Sequence, residues 1–438
     1  MTASDTVAAP ASRKPAGLHS ASWAEARQLA FRCAAPLPSV SVPLREAAGR
    51  TLVRPVTALQ DLPHYVSAAM DGWAVNGTGP WELVPAGLPL SPGQASTIAT
   101  GGLVPNTAAA VLRKESGHII DGSAGKRILT LRLDAKPGEP RRGQHIRPAG
   151  TEALEGEVLI PAGTVLNPAH TALAAVAGLD ELEVKAKPVV AVVLTGSEVV
   201  TQGVPAPGQV RDTFGPQLDT VITQLGGIPG VSRRIGDSFS EWTTALRETS
   251  ADSAARADVV ITTGGTGKSG TDHFRAAVAA LGGRLLLDGI AMRPGHPAVL
   301  AELADGRFVV GLPGNPLAAM MALTTLGAPL LAALAGAPLQ EVEQVLSGSD
   351  VEADSGFSEG RGRTRLMPCR VLSGLVFPVA HTAPGMMRGL AGADGVMAVP
   401  PGGVDSGQPV PVLPLPWTQA PAPTYSTSSQ GRNTPWHA

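Results

Sequence analysis

Aromatic side chains are scarce in this sequence of 438 residues: Phe, Trp and Tyr together make up 3%. That leaves little to stack on unpaired bases and argues against a single-stranded nucleic-acid platform. Charge is thin as well, at 16% with a formal net charge of −2, so neither a basic nucleic-acid surface nor an acidic tail is expected. There are two cysteines, Cys33 and Cys369. With no metal spacing and no disulfide framework, both read as buried small apolar side chains. Met1 to Leu18 carries Arg13 and Lys14 without the apolar stretch of a secretion signal, which makes the cytoplasm the expected location. Leu317 to Leu339 has no charged residue and the length of a membrane span. Gly327, Pro329, Gly336 and Pro338 interrupt it, no basic cluster flanks it, and Asn315-Pro316 suits a helix N-cap and first turn. A buried helix, and no membrane, is the expectation.

What is present is an apolar fraction of 43% with 52 Gly and 40 Pro, a chain of many tight turns that is long enough for about two to four cores. Residues 1–20, rich in Ala, Ser and Pro, and 418–438, with Pro, Ser and Thr, are expected to be disordered. Trp23 to Ala35 has helical apolar spacing, with Ser22 and Glu25 as a capping box. It opens an elongated linker domain made of 21–52 and 148–186, whose second part holds a helix from Pro168 to Ala177 ended by Gly178. In 53–147 the short apolar stretches Trp81–Val84, Ala109–Leu112 and Ile128–Leu133 are separated by Gly and Pro, the pattern of a small β-rich domain. From 187 to 338 strand and helix periods alternate: Val189–Leu194, Gln217–Leu225, Glu241–Arg247, Val259–Thr263, His273–Leu281, Arg284–Leu287. Such alternation predicts an open, mostly parallel α/β sheet with ligands at the carboxyl ends of its strands. Short strands return in 339–417 as a C-terminal β domain. The fold class is therefore multidomain, α/β plus β.

The stretch Asp258 to Pro316 concentrates the chemistry. Val259–Thr263 runs into Gly264-Gly265-Thr266-Gly267-Lys268-Ser269-Gly270, a loop able to offer backbone N–H groups to an anion. Gly267-Lys268-Ser269 matches the end of a triphosphatase phosphate loop, but Thr262 stands where that motif needs its first glycine and Gly270 interrupts the following helix. A plain connecting turn and an anion cradle without ATP hydrolysis both remain open. Met292-Arg293-Pro-Gly-His296-Pro297 places a planar guanidinium and an imidazole, neutral or cationic around neutral pH, about one fixed turn. Leu312-Pro313-Gly314-Asn315-Pro316 leads into a helix whose first N–H groups could attract an anion. Asp71, Glu198, Asp212, Asp258 and Asp272 each stand beside a turn. Carboxylates beside a bound anion repel it unless a divalent cation intervenes, so a magnesium bridge is chemically plausible.

Ser67 to Val75 with Met70-Asp71-Gly72, Thr100-Gly101, Arg147, Thr195-Gly196 with Glu198, the Gly264-Gly265 loop ending in Asp272, Pro294-Gly295 and Leu312 to Pro316 occur in one order. In this the chain resembles the molybdopterin molybdenumtransferase family, over about Trp23 to Pro416. The resemblance implies four domains, with 187–338 the molybdopterin-binding one and the linker a dimerisation element. It further implies a homodimer with a cleft between one subunit's α/β domain and the partner's β-rich arm. The implied reaction converts adenylylated molybdopterin and molybdate into molybdenum cofactor and AMP with Mg2+ assisting, and molybdopterin adenylyltransferase or apo-molybdoenzyme contacts come with it. Asp71, Glu198 and Asp272 would be the catalytic residues and would hold the metal. Thr100, Arg147, Asp258, the loop Gly264 to Ser269, Arg293, His296, Pro313, Gly314 and Asn315 would bind substrate. The chain departs from the pattern at Arg293 and His296, usually lysines, and at Thr266 to Gly270, usually Val-Ser-Val-Gly-Asp. Ser197 and Ala109 stand for Asp, Glu152 replaces another acid, and Phe214 replaces Asn. A pterin-binding paralogue without turnover, and a triphosphatase, are the alternatives.

Overall fold

The computed structural model describes residues 18–249, 256–267, 272–353 and 362–418. Two compact units result, one formed by residues 39–184 and the other by residues before 39 together with those after 184.

In the larger unit, valine-rich runs become strands because both of their faces are buried. Val190, Val192, Val259 and Ile261 pack into one apolar cluster with Leu218, Ile222 and the long helix Pro316–Leu334. The alternate residues Ala191, Val193 and Val260 pack on the other side with Trp242, Leu246 and Phe274. The strands lie in the order Ile228–Arg234, Val189–Leu194, Val259–Thr263, Phe308–Leu312, all parallel. Beyond Phe308–Leu312 the sheet turns antiparallel through Val299–Glu302 and Arg284–Arg293. It is not open on that side. Arg284–Arg293 runs ten residues, well past the expected stop at Leu287, because Gly289 at φ +85° lets the backbone continue through the Asp288-Gly289 pair. Its far end pairs with Thr364–Leu372.

Thr364–Leu372, Leu375–Pro378, Glu343–Ser347, Pro409–Pro414 and Gly395–Val399 pair in a ring that closes on itself, a five-stranded barrel around Val376, Met397, Val399, Val410 and Cys369. Burial pushes the thiols of both Cys369 and Cys33 up to about 12; Cys369 is a buried core side chain, whereas Cys33, also expected to be buried, is only partly so.

Two boundaries differ from expectation. Leu18–Ser22 is a strand, parallel to Arg284–Arg293, although 18–20 read as disordered; the remaining terminal residues expected to be disordered, apart from Thr418, lie outside the described ones. The helix Trp23–Arg32, capped by Ser22 and Glu25, belongs to the larger unit rather than to the linker, so the expected 21–52 segment divides at 38/39. The cause is its apolar face: Trp23, Ala26 and Ala30 are buried in the core that holds Leu326, Leu330 and Leu334. That long helix ends at Leu334, five residues before Leu339, and is 94% buried. Pro329 has no N–H to give the preceding turn, and the helix loosens there into a π turn, Leu323–Gly327. Buried Arg27 takes up the slack, donating from Nη1 to Thr324 O at 3.2 Å and from Nη2 to Gln340 O at 2.8 Å, while Trp23 Nε1 donates to Thr325 Oγ1 at 3.1 Å.

In the smaller unit, residues 72–131 form a six-stranded sheet around Trp73, Trp81, Leu112 and Leu129. A second core, with Val42, Leu52, Ile160 and Leu182, gathers residues from both ends of the unit around the helix Pro168–Val176.

Arg27→Ala strands two carbonyls and empties a buried volume. Denaturant unfolding is expected to show a loss of about 2–4 kcal/mol, with Arg27→Lys falling between that variant and the parent.

Candidate functional site

Strands that run parallel and end in register bring the loops after them together. Val189–Leu194, Val259–Thr263 and Phe308–Leu312 align so that Leu194, Thr263 and Leu312 are neighbours. The loops that follow carry Thr195 to Glu198, Gly264 to Gly267 and Pro313 to Asn315, and all three line one cavity of about 860 Å³. The glycines are required. Gly264 and Gly265 have φ of +78° and +65°, and a Cβ on Gly265 would stand 2.4 Å from the Trp242 ring.

The donors in this cavity are fewer than the sequence promised. Gly264 N–H donates to Leu312 O, and Gly267 N–H to Asp272 Oδ1 at 3.1 Å. Gly265 and Thr266 N–H have no acceptor among the described residues and are the loop donors available to an anion. The expected helix N-terminus is already occupied, because Leu317 and Ala318 N–H both donate to Pro384 O, at 2.9 and 3.2 Å. Asn315 makes no side-chain cap, which leaves its amide to the cavity it lines. Lys268 and Ser269 lie outside the described residues.

Carboxylates dominate the rim: Glu198, Asp212, Asp237 and Asp272. Asp212 is engaged, accepting Phe214 and Gly215 N–H on Oδ1 and the Arg234 guanidinium on Oδ2 at 2.5 Å. Asp237 accepts the Ser197 hydroxyl at 2.8 Å, so the residue standing for an expected Asp serves as a donor to a neighbouring one. Asp237 and Arg234 escaped the sequence analysis. Both sit at the carboxyl end of Ile228–Arg234, a strand disguised by Pro229 and Gly230, yet demanded by its place between two helices of an alternating pattern.

Three expected members stand elsewhere. Asp258 is at the amino end of its strand, opposite the glycine loop, where Oδ2 accepts Val189 N–H at 2.8 Å; it links two strand starts, and burial raises its carboxyl above the usual range. Arg293 lines a separate cavity of about 330 Å³ together with Arg365, which faces it in register, and Thr382. His296 is half-buried, its Nδ1–H donating to Ile290 O at 2.7 Å. Neither residue is among those lining the larger cavity.

The smaller unit holds the other three. Asp71 Oδ1 accepts Thr100 N–H at 2.6 Å and its hydroxyl at 2.7 Å. Ser67–Ala68, just ahead of Asp71, pairs with Ile146–Arg147, and Gly101 N–H donates to Ala68 O, so Asp71, Thr100 and Arg147 share one edge of the unit.

The Thr100 backbone N–H, then its hydroxyl, hold the Asp71 carboxyl below its ordinary value. A depressed folded-state value means a contribution to stability that is present above the unfolded carboxylate value of about 3.9 and lost as pH falls through the lower, folded one. Carbon-detected NMR titration of Thr100→Val is expected to show Asp71 titrating at higher pH than in the parent.

Against known proteins, the model for the MoeA N-terminal region (domain I and II) matches residues 21–178, that for a probable molybdopterin binding domain matches 191–333, and that for the MoeA C-terminal region (domain IV) matches 350–415. A molybdopterin molybdenumtransferase from Nostoc sp. is 32% identical over 67% of this chain and 69% of its own length. Molybdopterin molybdenumtransferase 2 of Mycobacterium tuberculosis is 29% identical over 82% and 91%. The crystal structure of a molybdopterin biosynthesis MoeA protein from Pyrococcus horikosii shares the fold, with a TM-score of 0.67 over 90% of this chain and 99% of that one, at 24% identity. Three regional matches in unbroken order and a relative 32% identical across two thirds of both chains give one answer: the chain belongs to the molybdopterin molybdenumtransferase (MoeA) family.

Proposed function

We propose that the chain inserts molybdate into adenylylated molybdopterin and releases AMP, a step of molybdenum cofactor biosynthesis in keeping with relatives named molybdopterin molybdenumtransferase. The observation that carries this reading is the larger cavity, where two available backbone N–H groups and the Asn315 amide stand beside carboxylates. A bare anion would be repelled there; a phosphate bridged by a cation would not.

Among the described residues no three metal-ligating side chains form a ready cage. Mg2+ needs none, since it takes one or two carboxylates and completes its shell with water and phosphate oxygens. Glu198 and Asp272 fit that donor set and would hold it, and the ion would offset negative charge on the phosphoanhydride. Gly265 and Thr266 N–H and Asn315 bind and orient the phosphates, while the Asp212–Arg234 pair fixes the cavity wall. Arg293 and Arg365, two guanidinium groups on adjoining strands around the smaller cavity, suit a tetrahedral oxyanion such as molybdate. In the smaller unit, Asp71, kept ionised by Thr100, is the third catalytic, metal-holding carboxylate of this reading, and Thr100 and Arg147 are substrate-binding groups. The reading includes a homodimer in the cytoplasm, served by contacts with the enzymes that supply the adenylylated pterin and receive the cofactor.

Purified protein is expected to release AMP from adenylylated molybdopterin only with both molybdate and Mg2+ present. Glu198→Gln should slow release by at least about 100-fold, the scale lost with one well-placed charge-stabilising group. Release that ignores molybdate would refute the reading. Sedimentation at twice the 44.5 kDa chain mass checks the dimer.

A further inference from the structure

In the smaller unit, the chain ahead of Asp71 brings a tyrosine against the turn that carries Thr100. Tyr65 is half-buried, with the His64 ring packed edge-on against its own at 4.7 Å between centroids. Its hydroxyl donates to Gly101 O at 2.9 Å. Gly102 N–H donates to Ala99 O, also at 2.9 Å, and closes the turn, in which Gly101 has φ +78°. Thr100 N–H leaves the turn toward Asp71 Oδ1, at 2.6 Å.

We infer that Tyr65 is a positioning residue for the Asp71 carboxylate, acting through the two peptide units that link its hydroxyl to the Thr100 N–H. The inference rests on the reading of Asp71 as a metal-holding carboxylate.

A planar peptide unit carries the carbonyl of one residue and the N–H of the next, so a bond at one end constrains the direction of the other. Gly101 O and Gly102 N–H belong to one such unit, Ala99 O and Thr100 N–H to another. Tyr65 holds the first unit by its carbonyl, the N–H of that unit holds the second by its carbonyl, and the N–H of the second meets Asp71. All three bonds donate in the same direction, toward the carboxylate. Hydrogen bonds aligned in this way polarise one another, and the anion at the end gains from each of them. The adjoining peptide units are pinned elsewhere: Gly101 N–H donates to Ala68 O at 2.8 Å and Ala68 N–H to Gly102 O at 2.9 Å, which ties the turn to Ser67–Ala68. Those bonds leave the Gly101 carbonyl untouched, and Tyr65 is its only partner among the described residues. A phenol suits the task, since its O–H turns about a rigid ring to meet a carbonyl and it stays neutral beside the carboxylate at physiological pH.

Tyr65→Phe deletes the hydroxyl and keeps the ring, so ring-current effects on nearby resonances persist. In the unliganded protein the Thr100 and Gly102 amide protons are expected to shift upfield as their bonds lengthen, and to exchange faster with solvent. The Gly101 amide, bonded to Ala68, should hold its place. That pattern separates positioning from a general loosening of the unit, which would move all three. In turnover, the Mg2+ concentration for half-maximal AMP release should rise about three- to tenfold, the scale of one neutral hydrogen bond. KM for adenylylated molybdopterin at saturating Mg2+ should change less. Thr100 and Gly102 amides that stay where the parent has them, or that move no more than Gly101, would overturn the inference. Shifted amides with an unchanged Mg2+ requirement would support the relay and refute the metal-holding reading of Asp71. Absence of AMP release in the parent would refute the functional reading, and the amide arm would still decide the relay.

Discussion

The register of three parallel strands is the constraint on which everything else rests. Once Val190 pairs with Val259 and Val259 with Phe308, the strands end together at Leu194, Thr263 and Leu312. Each strand is buried on both faces, so a slip of one residue would turn apolar side chains out of both cores at once. The loops converge because the strands cannot do otherwise. Asp258 marks the opposite end of the same arrangement, binding the start of one strand to the start of its neighbour.

Elements with a strong period were legible in the sequence. Val189–Leu194 and Val259–Thr263 lie where their valine-rich runs place them, and Ser22 with Glu25 forms the cap that its spacing implies. What escaped notice depended on distant partners. Nothing local indicates that Pro384 reaches the start of the long helix and takes its first donors, or that Arg27 supports a π turn nearly three hundred residues away. Of the candidate site, the glycine loop and its carboxylates were visible as motifs. The separation of Arg293 from that loop was not, because a ten-residue strand carries it beyond the cavity.

That separation divides the larger unit electrostatically. One cavity is rimmed by Glu198, Asp212, Asp237 and Asp272 with Arg211 and Arg234 among them, the other by Arg293 and Arg365 without an acid. Under the proposed reading the first holds a cation and whatever the cation carries, and the second an oxyanion. On that reading, two ligands of opposite preference are held in one unit without either site neutralising the other. Arg293 suits this division, since a guanidinium stays charged and offers oxygen acceptors a fixed fork.

The outermost strand of the parallel sheet, Ile228–Arg234, has a bearing on solubility. Such a rim exposes unpaired peptide groups, and Ile228 and Val231 are 41% and 44% exposed along it, a template on which a foreign strand could assemble. Pro229 removes one amide from that template. Arg233 and Arg234, ion-paired to Glu248 and Asp212, hold bulky charges across its last two positions. The arginine that walls the cavity thereby also guards the sheet against growing into an aggregate.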